Sequence, residues 1–152
     1  MKAYLVQHGK PLSKEENPER PLSSEGKAEV EKMGKFLKKL GIEVEELYHS
    51  GKTRARETAE ILISEVNPKV KPQQRESLAP LGDVNDIAGF LNSTTRDTMV
   101  VGHLPHLAKL VSVLVTGNES TLFIRFKQGG VVCVEKEDGN WAVAWAVVPE
   151  IL

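Results

Sequence analysis

Two short apolar runs end at the same kind of residue, and they constrain the fold more than any other feature of the chain. AYLVQ (3–7) leads into His8 and Gly9, and DTMVVG (97–102) leads into His103. Runs this short and this apolar are typical of parallel strands that are buried on both faces. Ligands of open α/β sheets bind beyond the carboxyl ends of the strands, so the two histidines would face each other if these strands are neighbours.

Amphipathic helices are predicted between the strands over the first 115 residues. One should begin near Ser23 or Ser24, either of which could cap it, and stop at Gly41. Its apolar face is predicted to comprise Val30, Met33, Leu37 and Leu40. The other elements expected before residue 116 are a strand over 45–50, a helix over 52–66, an edge strand near 70–76, a helix over 85–92 and a helix with Pro105 in its first turn.

From residue 121 the pattern changes to three β-rich runs separated by turn residues. They are TLFIRF (121–126), GVVCVEKE (130–137) and NWAVAWAVV (140–148), with Gln-Gly-Gly and Asp-Gly-Asn between them. This pattern predicts antiparallel hairpins or a meander. The whole chain, residues 1–152, is therefore predicted to be a single α/β domain with three layers. Helices would flank a mostly parallel central sheet, and antiparallel hairpin strands would complete it at the C-terminus.

Composition narrows the classes of partner. The net charge of −1 gives no global electrostatic case for nucleic acid or a membrane surface. No apolar run reaches the roughly 18 residues of a membrane helix, and a predicted strand at the N-terminus leaves no room for a signal peptide. Cys133 lies in an alternating apolar run and cannot form an internal disulfide, since it is the one cysteine. We therefore expect a buried thiol and a cytoplasmic protein.

A third strand end adds an arginine to the two histidines. In HSGKTRARET (49–58), Arg54 lies on the first turns of a predicted helix. Two histidines and an arginine beside helix N-termini suit a phosphoryl group. The structural alternative stays open: strand-end histidines are often satisfied within the fold, and Arg54 could be solvated as its neighbour Arg56 could.

A zinc site built from His8, His49 and His103 is disfavoured on spacing. The three histidines lack the paired local spacing of zinc motifs, and no cysteine or acidic residue joins them. His49 and His106 are each interpreted as structural or surface residues.

Five segments in order give the chain a resemblance to a known family. They are YLVQHGK (4–10), RPLSSEG (20–26), SGKTRARETA (50–59), LAPLGDV (78–84) and MVVGHLPHL (99–107). Together they resemble the histidine phosphatase superfamily, which has the phosphoglycerate-mutase-like fold, and most closely its SixA-type phosphohistidine phosphatase branch. Each segment alone is a weak signal. The resemblance covers nearly the whole chain.

The resemblance implies roles for particular residues. His8 would be the nucleophile, Arg54 would clamp the phosphoryl oxygens, and His103, protonated beside the anion, would stabilise charge in the transition state. Four further positions would contact the substrate: Gln7, Gly9, Arg20 and Ser50. For Arg20 a structural salt bridge is the alternative. Neither a metal nor another cofactor is implied.

Two departures from the family pattern affect the chemistry. Larger members use a carboxylic acid to protonate the leaving group, and the candidates here, Glu76 and Asp83, lie in no convincing acid motif; Asp83 is kept as a candidate proton donor. The second departure is Gln7, where the family has arginine. Loss of one charged donor commonly costs about 2–4 kcal/mol of transition-state stabilisation. Lys10 could restore part of this charge, although a solvated surface position is the preferred interpretation.

The predicted function is that of a metal-independent phosphatase with a phosphohistidine enzyme intermediate. Phosphohistidine on a protein is the expected substrate, because its P–N bond is labile and the leaving imidazole has a pKa near ~6.5. A histidine-containing phosphotransfer domain and a phosphotransfer-system carrier are both admissible partners. Two alternatives remain open: a small-molecule phosphomonoesterase, and a non-catalytic phosphate- or phosphoprotein-binding module suggested by Gln7.

Overall fold

Six strands and four α-helices form the fold, and the computed structural model describes all residues from 1 to 152. The strands are β1 (Lys2–Gln7), β2 (Glu46–His49), β3 (Gln73–Gln74), β4 (Thr98–Gly102), β5 (Val131–Glu137) and β6 (Asn140–Val147). The helices are α1 (Ser24–Lys39), α2 (Thr53–Val66), α3 (Val84–Ser93) and α4 (His106–Thr116). Short 3₁₀ turns lie at Glu76–Leu78 and Pro149–Ile151.

The strands form one mixed sheet in the order β3-β2-β4-β1-β5-β6. The first four strands of this order run parallel, whereas β5 is antiparallel to β1 and β6 is antiparallel to β5. β1 and β4 are neighbours in a register that pairs Gln7 with Gly102. His8 and His103 therefore leave the sheet at the same level, which confirms the predicted fold and the placement of the two histidines.

Helices cover both faces of the sheet. Alternate side chains of β1 point to opposite faces and pack into two different cores. Tyr4 and Val6 pack into a core with α1 and α2. Ala3 and Leu5 pack into a second core with α3 and α4. A strand buried on both faces cannot alternate apolar with polar residues, which explains the continuous apolar run at 3–6. Cys133 is fully buried, as predicted.

Local signals define the ends of α1. The Ser23 hydroxyl accepts a hydrogen bond from the Gly26 N–H at 3.0 Å, and Gly41 adopts a φ of 67° after the last turn. The prediction that Leu40 belongs to the buried face is wrong. The helix ends at Lys39, and Leu40 is its C-cap and is 51% exposed.

The prediction that TLFIRF (121–126) forms a strand is also wrong. Both edges of β5 are already paired, with β1 and β6, so the central sheet offers this segment no partner beside β5. The Thr121 N–H is bonded instead to the Ser112 hydroxyl of α4, and Phe126 packs into the α3/α4 core. The β-propensity of the segment is overridden by this packing against α4.

Measured against the thickness of a lipid bilayer, no helix of this fold has both the length and the apolar composition needed to cross it.

Candidate active site

His8 follows β1 and is fixed through its backbone and its ring. Its N–H donates to the Gly102 carbonyl of β4 at 3.0 Å, and its Nδ1 lies 2.7 Å from the Gly9 carbonyl oxygen. A carbonyl can only accept, so Nδ1 carries the proton and Nε2 keeps its lone pair. The pKa of His8 is lowered to about 4, chiefly by burial; the hydrogen bond to the Gly9 carbonyl opposes this shift, and the nearby Arg54 and Arg20 add to it. The imidazole is neutral at physiological pH.

His103 follows β4, and its ring lies beside that of His8. The two ring centroids are 4.9 Å apart and the ring planes are tilted by 49°. Its Nε2 is hydrogen-bonded to the Ser50 hydroxyl at 2.6 Å, and its Nδ1 is buried with no partner in the protein. Burial lowers the pKa of His103 to about 3, with further contributions from His8 and Arg54. In the unliganded protein this residue is neutral, so the expected protonated form requires an anion beside it.

Arg54 lies in the first turn of α2 and forms no ion pair. Its Nε is buried without a partner. Burial, together with Arg20, lowers the pKa of the Arg54 guanidinium. Arg20 donates from Nε to the Leu12 carbonyl at 3.2 Å, and it also has no carboxylate partner. The salt-bridge alternative for Arg20 is therefore not realised in this structure.

Arg20 and Arg54 border an open cavity of about 730 Å³ at the carboxyl edge of the sheet. Its lining includes four cations and two acids: Lys14, Arg20, Lys52, Arg54, Glu19 and Glu76. His8 and His103 do not reach the wall. They lie behind it, where Ser50, which is part of the wall, contacts His103. Unpaired cations around two neutral imidazoles form a site that can accept a small anion.

Gln7 and Gly9 flank the candidate nucleophile in different ways. Gln7 is buried, and its Oε1 has no hydrogen-bond partner. The Gly9 N–H is already taken by the Thr58 hydroxyl at 3.0 Å, and a Cβ at position 9 would come within 2.7 Å of Val30. The structure thus gives Gly9 a close-packing position, and its N–H is not free for a substrate.

Of the other charged candidates, Glu76 lies at the cavity, whereas Asp83 and Lys10 do not. Asp83 is exposed and caps α3 through the Asn85 N–H at 2.9 Å, and it does not line the cavity. Glu76 does line the cavity. Lys10 is paired with Glu25 at 2.7 Å on the surface, so it does not replace the charge that is absent at position 7.

The two remaining histidines are buried within the fold. The His49 Nδ1 accepts a hydrogen bond from the Gly51 N–H at 3.0 Å, and this bond directs the ring to its own turn. His106 is 1% exposed at the start of α4. No three histidine, cysteine, aspartate or glutamate side chains of this fold lie together in a way that could hold a metal ion.

Sequence reasoning missed two residues of α2 that hold the site together. The Thr58 hydroxyl donates to the Arg54 carbonyl at 2.7 Å while it accepts from Gly9, so it joins the arginine turn to the loop after His8. Glu57 accepts from the Leu22 N–H at 2.8 Å and so anchors the end of the loop that carries Arg20. The available signal was helical spacing, since Thr58 follows Arg54 by one turn.

Comparison with known sequences matches this arrangement to one family. Residues 3–83 match the sequence model of a protein family described as "Histidine phosphatase superfamily (branch 1)". The chain is 27% identical to the phosphohistidine phosphatase SixA of Escherichia coli (strain K12), over 98% of this chain and 94% of that protein. It is 28% identical to an uncharacterized protein of Picosynechococcus sp., over 87% of this chain and 83% of that one.

Solved structures show the same fold over nearly the whole chain. The protein histidine phosphatase SixA complexed with tungstate superposes with a TM-score of 0.88 at 27% identity, covering 99% of both chains. The alpha-ribazole phosphatase of Shigella flexneri superposes with a TM-score of 0.79 at 13% identity and 94% coverage of both chains, which is a likeness of fold alone.

Proposed function

The chain belongs to the histidine phosphatase superfamily, and on that premise we propose that it removes the phosphoryl group from phosphohistidine on a protein through a covalent His8 intermediate. Family membership makes the chain a phosphatase, that is, a hydrolase of phosphoryl groups. The substrate and the roles of single residues are the proposal. Its main support is a neutral histidine with a free Nε2, set among cations that have no acidic partner.

In the first step, the lone pair of His8 Nε2 attacks phosphorus as the P–N bond of the substrate breaks. The bonding electrons return to the departing imidazole, which takes up a proton. The Nδ1–H bond to the Gly9 carbonyl holds the ring in the nucleophilic tautomer and stabilises the positive charge that the ring acquires.

In the second step, water attacks phosphorus and the bond to Nε2 breaks. The water loses a proton, inorganic phosphate leaves, and His8 returns to its neutral form. The net reaction consumes one water and yields histidine and phosphate. A leaving imidazole with a pKa near ~6.5 needs little help from an acid, in keeping with the position of Asp83 on the surface.

Positive charge for the transferred group would come from protein side chains. Arg54 presents a planar fork of donors, and Arg20 adds a second guanidinium at the cavity wall. His103 would become protonated when the dianion binds, because the anion opposes the burial that keeps its pKa low. We propose that these groups suffice without a divalent cation.

The open cavity favours a substrate presented on a surface. Its wall is mostly polar, with Pro18 and Ala79 as its apolar side chains, so it offers little to hold the body of an apolar metabolite. A phosphohistidine side chain needs only room for a phosphoryl group and a ring. The tungstate bound by the SixA structure is a tetrahedral oxyanion, like phosphate, which is in keeping with an anion-binding fold.

Phosphoenzyme trapping tests the proposal. The protein is incubated with ³²P-labelled phosphoramidate in the presence of EDTA, quenched, and treated separately with acid and with base. We expect an acid-labile, base-stable label on His8, and none in His8→Ala. Arg56→Ala is a matched control, since Arg56 is an exposed arginine of the same helix, paired with Glu60. Anion binding without any label in the wild type would instead make the chain a non-catalytic binding module.

A further inference from the structure

An apolar groove lies beside the candidate active site, outside the residues that would perform the chemistry. It has a volume of about 300 Å³ and is lined on one side by Leu104 and Pro105 and on the other by Leu122 and Ile124. Leu104 immediately follows His103 and is 40% exposed, and Leu122 is 63% exposed. Next to the groove residues Leu122 and Ile124, Phe123 is 45% exposed. Exposed apolar side chains grouped in this way mark interaction sites more often than isolated ones do.

The segment that forms the far wall of this groove leads directly to the nucleophile. It leaves the end of α4 near Thr121, which bonds to Ser112, and returns along α4. At its other end, the Gly129 N–H bonds to the carbonyls of Gln7 and His8 at 2.9 and 3.2 Å. The groove is therefore close to both histidines: Leu104 follows His103, and the segment that continues from Lys127 is bonded to His8 through Gly129.

The groove is also cationic. Arg125 and Lys127 are part of its lining, both are exposed, and neither forms an ion pair. In the cavity, Lys14 and Lys52 are also unpaired. The groove lining is therefore net positive, and so is the cavity lining, whose four cations outnumber its two acids. A surface of this sign attracts an acidic partner.

We propose that this groove docks the substrate protein, and that the surface it fits carries a phosphohistidine flanked by apolar side chains and carboxylates. This inference rests on the proposed function and adds the features by which the enzyme would select its substrate protein. The apolar neighbours of the phosphohistidine would lie between Leu104 and Leu122, and the carboxylates would pair with Arg125 and Lys127. The groove would then select among phosphohistidine proteins, because the cavity itself binds only the phosphoryl group.

Two phosphohistidine peptides and one small reference compound test this. Each peptide contains one histidine, phosphorylated with phosphoramidate; leucine and glutamate flank it in the first, serine and lysine in the second. Phosphoimidazole is the reference, since it has no flanks. At low ionic strength we expect kcat/KM to favour the first peptide by about tenfold, with the preference shrinking as salt is added.

Single substitutions assign the preference to the groove. Leu122→Ser should lower kcat/KM for the first peptide by about threefold to tenfold, and Arg125→Glu should reverse the charge preference, because apolar contact and charge each contribute. Both should leave phosphoimidazole hydrolysis unchanged. Ile151→Ser and Lys32→Glu are matched controls on the opposite, α1 side of the sheet, where Ile151 is 70% exposed. These controls should change nothing.

A binding measurement separates the groove from catalysis. The dissociation constants of fluorescent versions of both peptides are measured with the His8→Ala variant, which cannot turn them over. Tighter binding of the first peptide, lost in Leu122→Ser, supports the groove whether or not the wild type is active. Equal binding of the two peptides overturns the groove even if the wild type hydrolyses both. A dimer that Leu122→Ser dissociates, with peptide binding unchanged, would make a second copy the occupant and would also overturn it.

Discussion

Two arginine sites in this molecule differ in how the fold treats their charge. Arg75, after β3, donates to both carboxylate oxygens of Asp86 at 2.9 and 3.3 Å, and its guanidinium lies 4.8 Å from the Phe90 ring centroid. The Ser77 hydroxyl bonds to the same carboxylate. Arg54, on α2, has neither an acid nor an aromatic partner, and its Nε is buried and unsatisfied.

The difference is also visible in the causes of two pKa shifts. Asp86 next to Arg75 has a lowered pKa because the guanidinium and Ser77 bond to its carboxylate. Arg54 has a lowered pKa because burial and Arg20 both oppose its charge. A buried cation without a partner in the protein is expected to bind an anion from outside, and we propose this role for Arg54.

The largest expected effect is at the nucleophile. His8→Ala removes the proposed nucleophile, so turnover of phosphoimidazole should fall below detection. Phosphate release is the measurement. His49→Ala is the control, because His49 is a buried histidine of the neighbouring strand end that bonds only within its own turn. Residual activity in His8→Ala comparable to wild type would contradict the assignment.

The two arginines should respond in opposite ways. Arg54→Ala should lower kcat about 10²–10³-fold, since it removes a charged donor from the transition state, and should leave the unfolding free energy unchanged or slightly higher. Arg75→Ala should lower the unfolding free energy by about 1 kcal/mol, a small value because the pair is partly exposed, and should leave kcat within about twofold. Denaturant titration and phosphate release measure the two quantities. If both variants lose only stability, the distinction between the two sites fails.

Gln7→Arg tests whether position 7 contacts the phosphoryl group. Gln7 is buried beside His8 with an unsatisfied Oε1, and an arginine there would bring charge toward the phosphoryl group. We expect kcat/KM to rise by about tenfold or more. An unchanged rate in a folded variant would mean that position 7 does not contact the phosphoryl group.

The last prediction is a pH dependence of anion binding that comes from His103. The pKa of unliganded His103 is about 3, and a bound dianion raises it, so the complex binds a proton that the free protein does not. Sulfate, which does not titrate between pH 5 and 8, should therefore bind more tightly as the pH falls, by up to about tenfold per unit. Calorimetry in two buffers measures the proton uptake. His103→Gln should lose the dependence, and a flat wild-type profile would contradict the protonated role.

Much of this architecture was predictable from local patterns. Fully apolar runs predicted buried parallel strands, and their ends placed His8 and His103 together because parallel neighbours end at one edge. The strand prediction for 121–126 failed because β-propensity does not reveal which sheet edges are already paired. Leu40 was misplaced because helix periodicity does not fix the last turn.

The contacts within the site were harder to predict. Nothing in the sequence indicates that Thr58 takes the Gly9 N–H or that Ser50 bonds to His103, because these bonds depend on how α2 packs against the loop after β1. The satisfaction of Arg75 and the isolation of Arg54 are likewise tertiary facts. The sequence made Arg54 a candidate for binding the phosphoryl group, but it did not show whether an acid of the fold would pair with it.

A crystal structure with vanadate bound would show whether these residues hold a phosphoryl group, because vanadate takes the geometry of the phosphoryl transition state. We expect one vanadate bonded to His8 Nε2, with Arg54 and His103 in contact with its equatorial oxygens and Arg75 still paired with Asp86. Vanadate bound elsewhere, or bound in the cavity with Arg54 turned away from it, would contradict the claim that the fold leaves these cations unpaired for a phosphoryl group.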